Sequence, residues 1–273
     1  MLLCQLPGVD IHLTVTLPDG TMLQMPAETS LNPLCIELAC YLGKNFRGDW
    51  CGSEDAWVSA EFQRYASVEE FYAQSNIYLY HLIGYWLEGF KRPTHAWIYQ
   101  STAGNIRASI LDYGCGIGCD GIAFLNAGFT VAFADLPSRS LEFLRWRLQQ
   151  RMHLGIHIYP LAPGIEIPRH DIVWCLDVLE HLPAHEHEAF LDHLATLGES
   201  VILNLIDDKT ADGTVHHPVD IDHLTAHIHQ RWDCVYQDYY VRADGGKTRF
   251  VWYGDMVPAA LAQRPIMLKK GTR

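Results

Sequence analysis

Ser109-Ile110-Leu111-Asp112-Tyr113-Gly114-Cys115-Gly116-Ile117-Gly118-Cys119-Asp120-Gly121 reads as an apolar strand, a tight turn and a helix start. The strand ends on an acid, and closely spaced glycines follow. Glycines let the backbone turn sharply and approach a ligand without a Cβ clash. The N-terminus of the following helix directs free N–H groups at the same point.

Outward from this turn, strands and helices alternate. A helical stretch over 120–127 leads to a strand Phe129–Ala134. A helix near 138–152 and a short strand near 156–159 follow, then a strand Ile172–Leu176. A helix at 184–196 precedes a strand Val201–Leu205, a long polar loop and a helix at 219–230. Two β-like runs, Cys234–Val241 and Thr248–Tyr253, close the chain as an antiparallel hairpin. Such alternation predicts an α/β fold with a mostly parallel sheet and helices on both faces. Ligands in such sheets bind at the carboxyl ends of the strands, at the switch point.

The first hundred residues have a different texture. Residues 10–25 alternate around Pro18-Asp19-Gly20, which predicts a hairpin. Residues 31–43 predict a short apolar helix ended by Gly43. Ser67 with Glu70 forms a capping box that should open a helix through about Leu87, before a break at Arg92-Pro93. Ser101-Thr102-Ala103-Gly104-Asn105 reads as a linker, so the expected division is 1–104 and 105–273.

Two ligands compete for the glycine turn. Gly116 to Gly121 spells G-x-G-x-x-G, the dinucleotide fingerprint, which points to an NAD-dependent oxidoreductase. The fuller string, acid-x-G-x-G-x-G from Asp112, resembles motif I of class I S-adenosylmethionine-dependent methyltransferases. A carboxylate beside a pyrophosphate repels it; beside a sulfonium with an α-amino group it attracts. The run Asp171-Ile172-Val173-Trp174-Cys175-Leu176-Asp177-Val178-Leu179-Glu180-His181-Leu182 resembles the family's fourth-strand motif, and Asp135 matches the acid that ends its second strand.

The resemblance spans roughly 108–255 and implies a Rossmann-like seven-stranded, mostly parallel sheet with an antiparallel last strand, preceded by an N-terminal hairpin and helical cap. It implies S-adenosyl-L-methionine as cofactor, held by Asp112, Gly114, Cys115, Gly116, Gly118, Asp135, Leu136, Cys175, Leu176 and Tyr78. Asp135 would accept hydrogen bonds from the ribose hydroxyls; a helix cap is its other reading. An acid that many members carry after the third strand has no counterpart in Tyr159-Pro160-Leu161-Ala162-Pro163-Gly164.

The implied reaction is in-line methyl transfer to an O, N or C atom of a small molecule, releasing S-adenosylhomocysteine. Aminocarboxypropyl transfer or cyclisation, both releasing methylthioadenosine, would use the same fold. A base, where the acceptor loses a proton, should come from loops at the strand ends: Asp177, His181, His216 or His217, with Tyr80 as a further catalytic candidate. In the family, N-terminal helices often cover the pocket, which makes Tyr72, Tyr78, Tyr80, Tyr85, Trp86 and Phe90 lid candidates.

Composition sets further bounds. The formal net charge of −12 argues against nucleic acid and favours a neutral or cationic small-molecule acceptor. No apolar run reaches membrane-span length, and Met1 to Gly8 does not read as a signal peptide. Eight cysteines without a C-x-x-C pair read as reduced, cytoplasmic thiols. Fifteen histidines contain no zinc-spaced set, so no metal is expected. Arg145, Arg147 and Arg151 read as a solvated helix face, and the N-terminal hairpin is a candidate homodimer contact.

Overall fold

The computed structural model describes residues 12–18, 20–26, 32–48, 58, 60–89, 91–101, 107–153, 155–206, 216–230, 234–241 and 247–254. The readings of 1–8, of 102–105 as linker and of the polar loop after 206 lie outside these residues, except that loop's last residues from His216. The chain divides into two units, Met1–Gly89 with Ser138–Leu154, and Phe90–Pro137 with Gly155–Arg273.

The second unit is built on a seven-stranded sheet. Its strands are β3 (Ser109–Tyr113), β4 (Thr130–Asp135), β5 (Ile158–Pro160), β6 (His170–Cys175), β7 (Gly198–Ile206), β8 (Cys234–Val241) and β9 (Lys247–Gly254). Their order is β5-β4-β3-β6-β7-β9-β8. The pairs from β5 through β7 are parallel; β9 runs antiparallel to both neighbours. The chain moves from β3 outward to β5, then returns to β6, so the switch point lies between β3 and β6.

Burial on both faces explains the apolar runs. Ile110 through Tyr113, Ile172 through Cys175 and Val201 through Ile206 are all buried. On one face Leu111, Ala132, Val173 and Leu203 cluster with Leu191 and Leu194 of α7 (His187–Leu197) and Leu224 and Ile228 of α8 (Ile221–His229). Elsewhere in the unit, Phe124 of α5 (Cys119–Asn126) meets Trp174 edge-on at 4.9 Å. The first residues of β3 and β6 are pinned together: Ser109 donates from N and Oγ to Asp171 Oδ2 at 2.6 and 2.8 Å.

Two histidines of α8 have a structural explanation. His223 Nε2 lies 2.6 Å from Glu188 Oε1, and His227 Nε2 lies 3.1 Å from Asp192 Oδ1, joining α8 to α7. One helix of this unit was not anticipated. α4 (Arg92–Ser101) begins where the sequence suggested only a break, because proline fits the first helical turn.

The first unit holds a hairpin, β1 (His12–Thr16) with β2 (Met22–Pro26), turned by Gly20 at φ 85°. It also holds α1 (Pro33–Leu42), capped by the Asn32 side chain and ended by Gly43. The Ser67 hydroxyl accepts from the Glu70 N–H as expected, and Glu70 Oε2 accepts in turn from the Ala66 N–H, one residue before the cap. The helix it opens is interrupted, however. α2 (Val68–Gln74) stops at Ser75, which turns extended, and its hydroxyl accepts from the Ile77 N–H to start α3 (Ile77–Glu88).

The units do not follow the 104/105 boundary. α4 groups with the sheet, and α6 (Arg139–Gln150), which connects β4 to β5 in the chain, groups with the N-terminal helices. There Tyr41 meets Phe143 at 5.0 Å and Trp146 at 5.8 Å. The arginines of α6 are not a uniformly solvated face. Arg147 is only 4% exposed and donates to Glu37 Oε2 at 3.0 Å, and Arg151 pairs with the other Glu37 oxygen.

Candidate active site

The carboxyl ends of β3, β4 and β6 lie side by side, and the glycine turn springs from β3. Gly114 and Cys115 both donate N–H bonds to Ala134 O, at 2.8 and 3.2 Å, which holds the turn against β4. Gly114 sits at φ 70°, and a Cβ there would meet Val178 Cγ2 at 2.2 Å. That position therefore needs glycine on two counts. Gly118, also left-handed at φ 73°, is the N-cap of α5 and makes no side-chain cap, so the turn enters the helix through backbone conformation that glycine allows.

Two carboxylates brace this cradle. Asp112 is 2% exposed, and its Oδ2 accepts from the Gly121 N–H at 2.8 Å. A Cβ on Gly121 would lie 2.7 Å from that same oxygen. Burial raises the Asp112 pKa well above the ordinary value, and the Asp120 charge raises it further, against Lys91 and the Gly121 bond. Asp135 ends β4 and accepts from Gly116 N–H at 2.5 Å and Leu136 N–H at 2.6 Å. Burial pushes it up to about 6 despite those two bonds. It is not a helix cap, because the Ser138 hydroxyl caps α6 by accepting from the Leu141 N–H. Beyond it, Leu136 is 45% exposed, an apolar side chain open at the strand end.

Cys115 and Cys175 are buried thiols whose pKa is raised, chiefly by burial. They are held as thiols and line the turn rather than supply a thiolate. Leu176 is buried just past β6. Asp177 follows in the left-handed region at φ 58°, unusual for a residue with a Cβ. Its N–H donates to Asn204 Oδ1 at 2.7 Å, and its Oδ1 accepts from Asn204 Nδ2 at 2.5 Å. The structure thus brings Asp112, Gly114, Cys115, Gly116, Gly118, Asp135, Leu136, Cys175, Leu176 and Asp177 to one set of strand ends.

His181 ends a 3₁₀ turn, Leu179–His181, just beyond β6. Its ring meets that of His216 edge to face at 4.8 Å. His217 donates its N–H to Glu180 O at 2.7 Å, fastening the segment before α8 to this turn. Tyr78 and Tyr80 lie on α3 in the other unit. Tyr80 is 1% exposed and its hydroxyl accepts from the Arg47 N–H at 2.7 Å, while Tyr78 packs on Tyr72 at 4.7 Å and His81 at 5.7 Å.

Sequence reading missed Lys91, His95, Asp120 and Asn204. Lys91 Nζ reaches Asp120 Oδ2 at 3.1 Å and Asp177 Oδ2 at 2.9 Å. His95 Nε2 lies 2.5 Å from Asp120 Oδ1. Burial alone would raise Asp120, but Lys91 and His95 together bring it down to about 2. The available signals were Asp120 in the first turn of the helix after the glycines, and Lys91 and His95 four residues apart beside Pro93.

No family model matches the chain. It is 28% identical over 123 residues to a magnesium-protoporphyrin O-methyltransferase of Synechocystis, covering 44% of this chain and 53% of that protein. It is 33% identical over 106 residues to a ubiquinone biosynthesis O-methyltransferase of Bordetella avium, covering 34% of this chain and 42% of that protein. The chain thus spans about half the length of the curated relatives it matches. Among solved structures, it superposes on a magnesium protoporphyrin IX methyltransferase of Synechocystis with bound S-adenosylhomocysteine, with a TM-score of 0.54 at 20% identity, covering 74% of this chain and 97% of that one. Strand order, glycine turn and these likenesses show that the chain has the fold of the class I S-adenosylmethionine-dependent methyltransferases.

Proposed function

We propose that the chain transfers a methyl group from S-adenosylmethionine to a small-molecule acceptor. The observation that carries this reading is the cradle at the switch point: a glycine turn braced by Asp112 and Asp135, at a place a Cβ would fill. The residues fit the cofactor. Asp135 presents two carboxylate oxygens with lone pairs left for ribose hydroxyls, and the positive end of the α5 dipole faces the same turn. The curated relatives are both named as O-methyltransferases.

When bound, S-adenosylmethionine supplies an electrophilic methyl on a sulfonium, an already activated leaving group. The chain's own work is then positioning and exclusion of water, which together account for roughly 7–11 kcal/mol of a barrier. Asp120, held ionised by Lys91 and His95, keeps negative charge at the strand ends, where a cationic sulfonium is favoured over an anion. An acceptor that loses a proton needs a base, and such a base contributes about 10²–10⁴-fold. His181 is the side chain best suited, since it stands on the loop beyond β6 and imidazole changes charge near neutrality. His217 serves by fastening that loop through its backbone, and Tyr80 by packing the helical unit.

The test is product analysis. S-adenosylmethionine carrying an isotopically labelled methyl is incubated with the protein and a panel of phenolic, carboxylic and amine acceptors. The reading expects S-adenosylhomocysteine in step with label in the acceptor. Methylthioadenosine in its place rejects methyl transfer in favour of aminocarboxypropyl transfer or cyclisation.

A further inference from the structure

Lys91 is a cation held 18% exposed between two carboxylates that come from different elements. Asp120 stands in the first turn of α5, directly after the glycine turn. Asp177 stands at the end of β6, on the other side of the switch point. Asp177 is further tied to β7 through both arms of Asn204. On the other side, His95 fixes Asp120 Oδ1, and its ring is wedged in the core, stacked on Phe124 at 4.6 Å and edge-on to Trp174 at 4.9 Å.

A continuous polar chain therefore runs Asn204–Asp177–Lys91–Asp120–His95 across the carboxyl ends of β7, β6 and β3. Without the ammonium, Asp120 and Asp177 would face each other's charge beside the buried Asp112. Removing one partner of such a pair leaves the other charge uncompensated, and neighbouring backbone moves to solvate it. The left-handed conformation of Asp177 persists only while its surroundings hold it there.

We propose that Lys91 is a positioning residue of the cofactor cleft: its ammonium locks the first turn of α5 to the end of β6 across the switch point, and it withdraws Asp177 from service as a proton acceptor. This rests on the cofactor reading above. It makes Asp177 part of the frame and leaves proton removal to the histidine loop.

The test is calorimetric titration of S-adenosylhomocysteine into the full chain and its Lys91→Arg, Lys91→Met and Lys91→Met/Asp177→Asn variants, each checked for cooperative thermal unfolding. Lys91→Met should weaken binding about tenfold, equivalent to 1.4 kcal/mol. Lys91→Arg should stay within about threefold of the parent, and the double variant should recover part of the loss, since the carboxylate at 177 is neutralised while Asp120 keeps His95. A merely structural contact predicts a lower unfolding midpoint with unchanged affinity. Unchanged binding by Lys91→Met overturns the proposal, as does a loss that neither Arg nor the second substitution restores. Should Lys91→Met not unfold cooperatively, the double variant decides: recovery of folding and binding supports the lock, and its absence overturns it. A parent chain that binds no S-adenosylhomocysteine removes the cofactor reading and this proposal together, whereas a binding parent with an equally binding Lys91→Met removes this one alone.

Discussion

Asp135 is where residue chemistry and ligand affinity meet most directly. Its two oxygens take the Gly116 and Leu136 N–H groups, and burial still lifts it to about 6. The folded chain therefore holds this proton more tightly than the unfolded chain, whose aspartate titrates near 3.8. That contribution to stability is complete below the unfolded value and is lost as pH rises through about 6. A ribose, in contrast, needs the ionised carboxylate as acceptor. S-adenosylhomocysteine affinity should thus rise between about pH 5 and 7 while the stability of the free protein declines over the same window. Asp135→Asn should abolish both slopes and weaken binding about tenfold or more, because an amide offers one acceptor oxygen and sets an NH₂ against the Gly116 or Leu136 donor. Calorimetry and thermal unfolding across pH read the two slopes; a pH-independent affinity in the parent chain would remove Asp135 from the ribose role.

At the scale of elements, α6 departs furthest from its sequence reading. Arg145, Arg147 and Arg151 share a polar texture, yet Arg147 is buried against Glu37 of α1. Nothing local announces this pairing, because the partner lies 110 residues away. Glu37→Ala should therefore destabilise the chain by about 3 kcal/mol, the low end for leaving one charge of a buried pair alone, since Glu37 keeps some exposure. Urea unfolding would show it as a lower midpoint; a midpoint within error of the parent would make the pair dispensable. The strands of the sheet were legible for the opposite reason. β3, β6 and β7 are buried on both faces, so their signal is local and continuous. α4 was lost because Pro93 reads as punctuation when it is the start of a helix. The break between α2 and α3 was lost because Ser75, which ends one and accepts from the first N–H of the other, cannot be told from a mid-helix serine by residue type. The glycine cradle was legible because backbone conformation dictates residue type there. Lys91 and Asn204 were not, because an ion pair across strand ends leaves no spacing in the chain.

For the molecule as a whole, the question is which ligand the fold is built to hold. G-x-G-x-x-G from Gly116 to Gly121 suits a dinucleotide in isolation. The structure sets that string behind two carboxylates, Asp112 and Asp135, with Asp120 and Asp177 beyond. A pyrophosphate would bring two more negative charges beside Asp120 and Asp177, which already share one lysine. A sulfonium amino acid brings cations, and its thioether product S-adenosylhomocysteine still brings an ammonium and no phosphate. The two ligands should separate in thermal unfolding of the full chain. A ligand that binds only the folded state at a hundred times its Kd adds about 2.7 kcal/mol. At about 2–4 °C per kcal/mol for a chain of this size, S-adenosylhomocysteine should raise the midpoint by roughly 5–10 °C. NADH at the same concentration should leave it unmoved. The gain should survive added salt with NADH still silent, because the discriminating charges are buried and weakly screened. The reverse order of shifts would mean that the glycine turn serves a dinucleotide after all, and the roles given to Asp112 and Asp135 would fall with it.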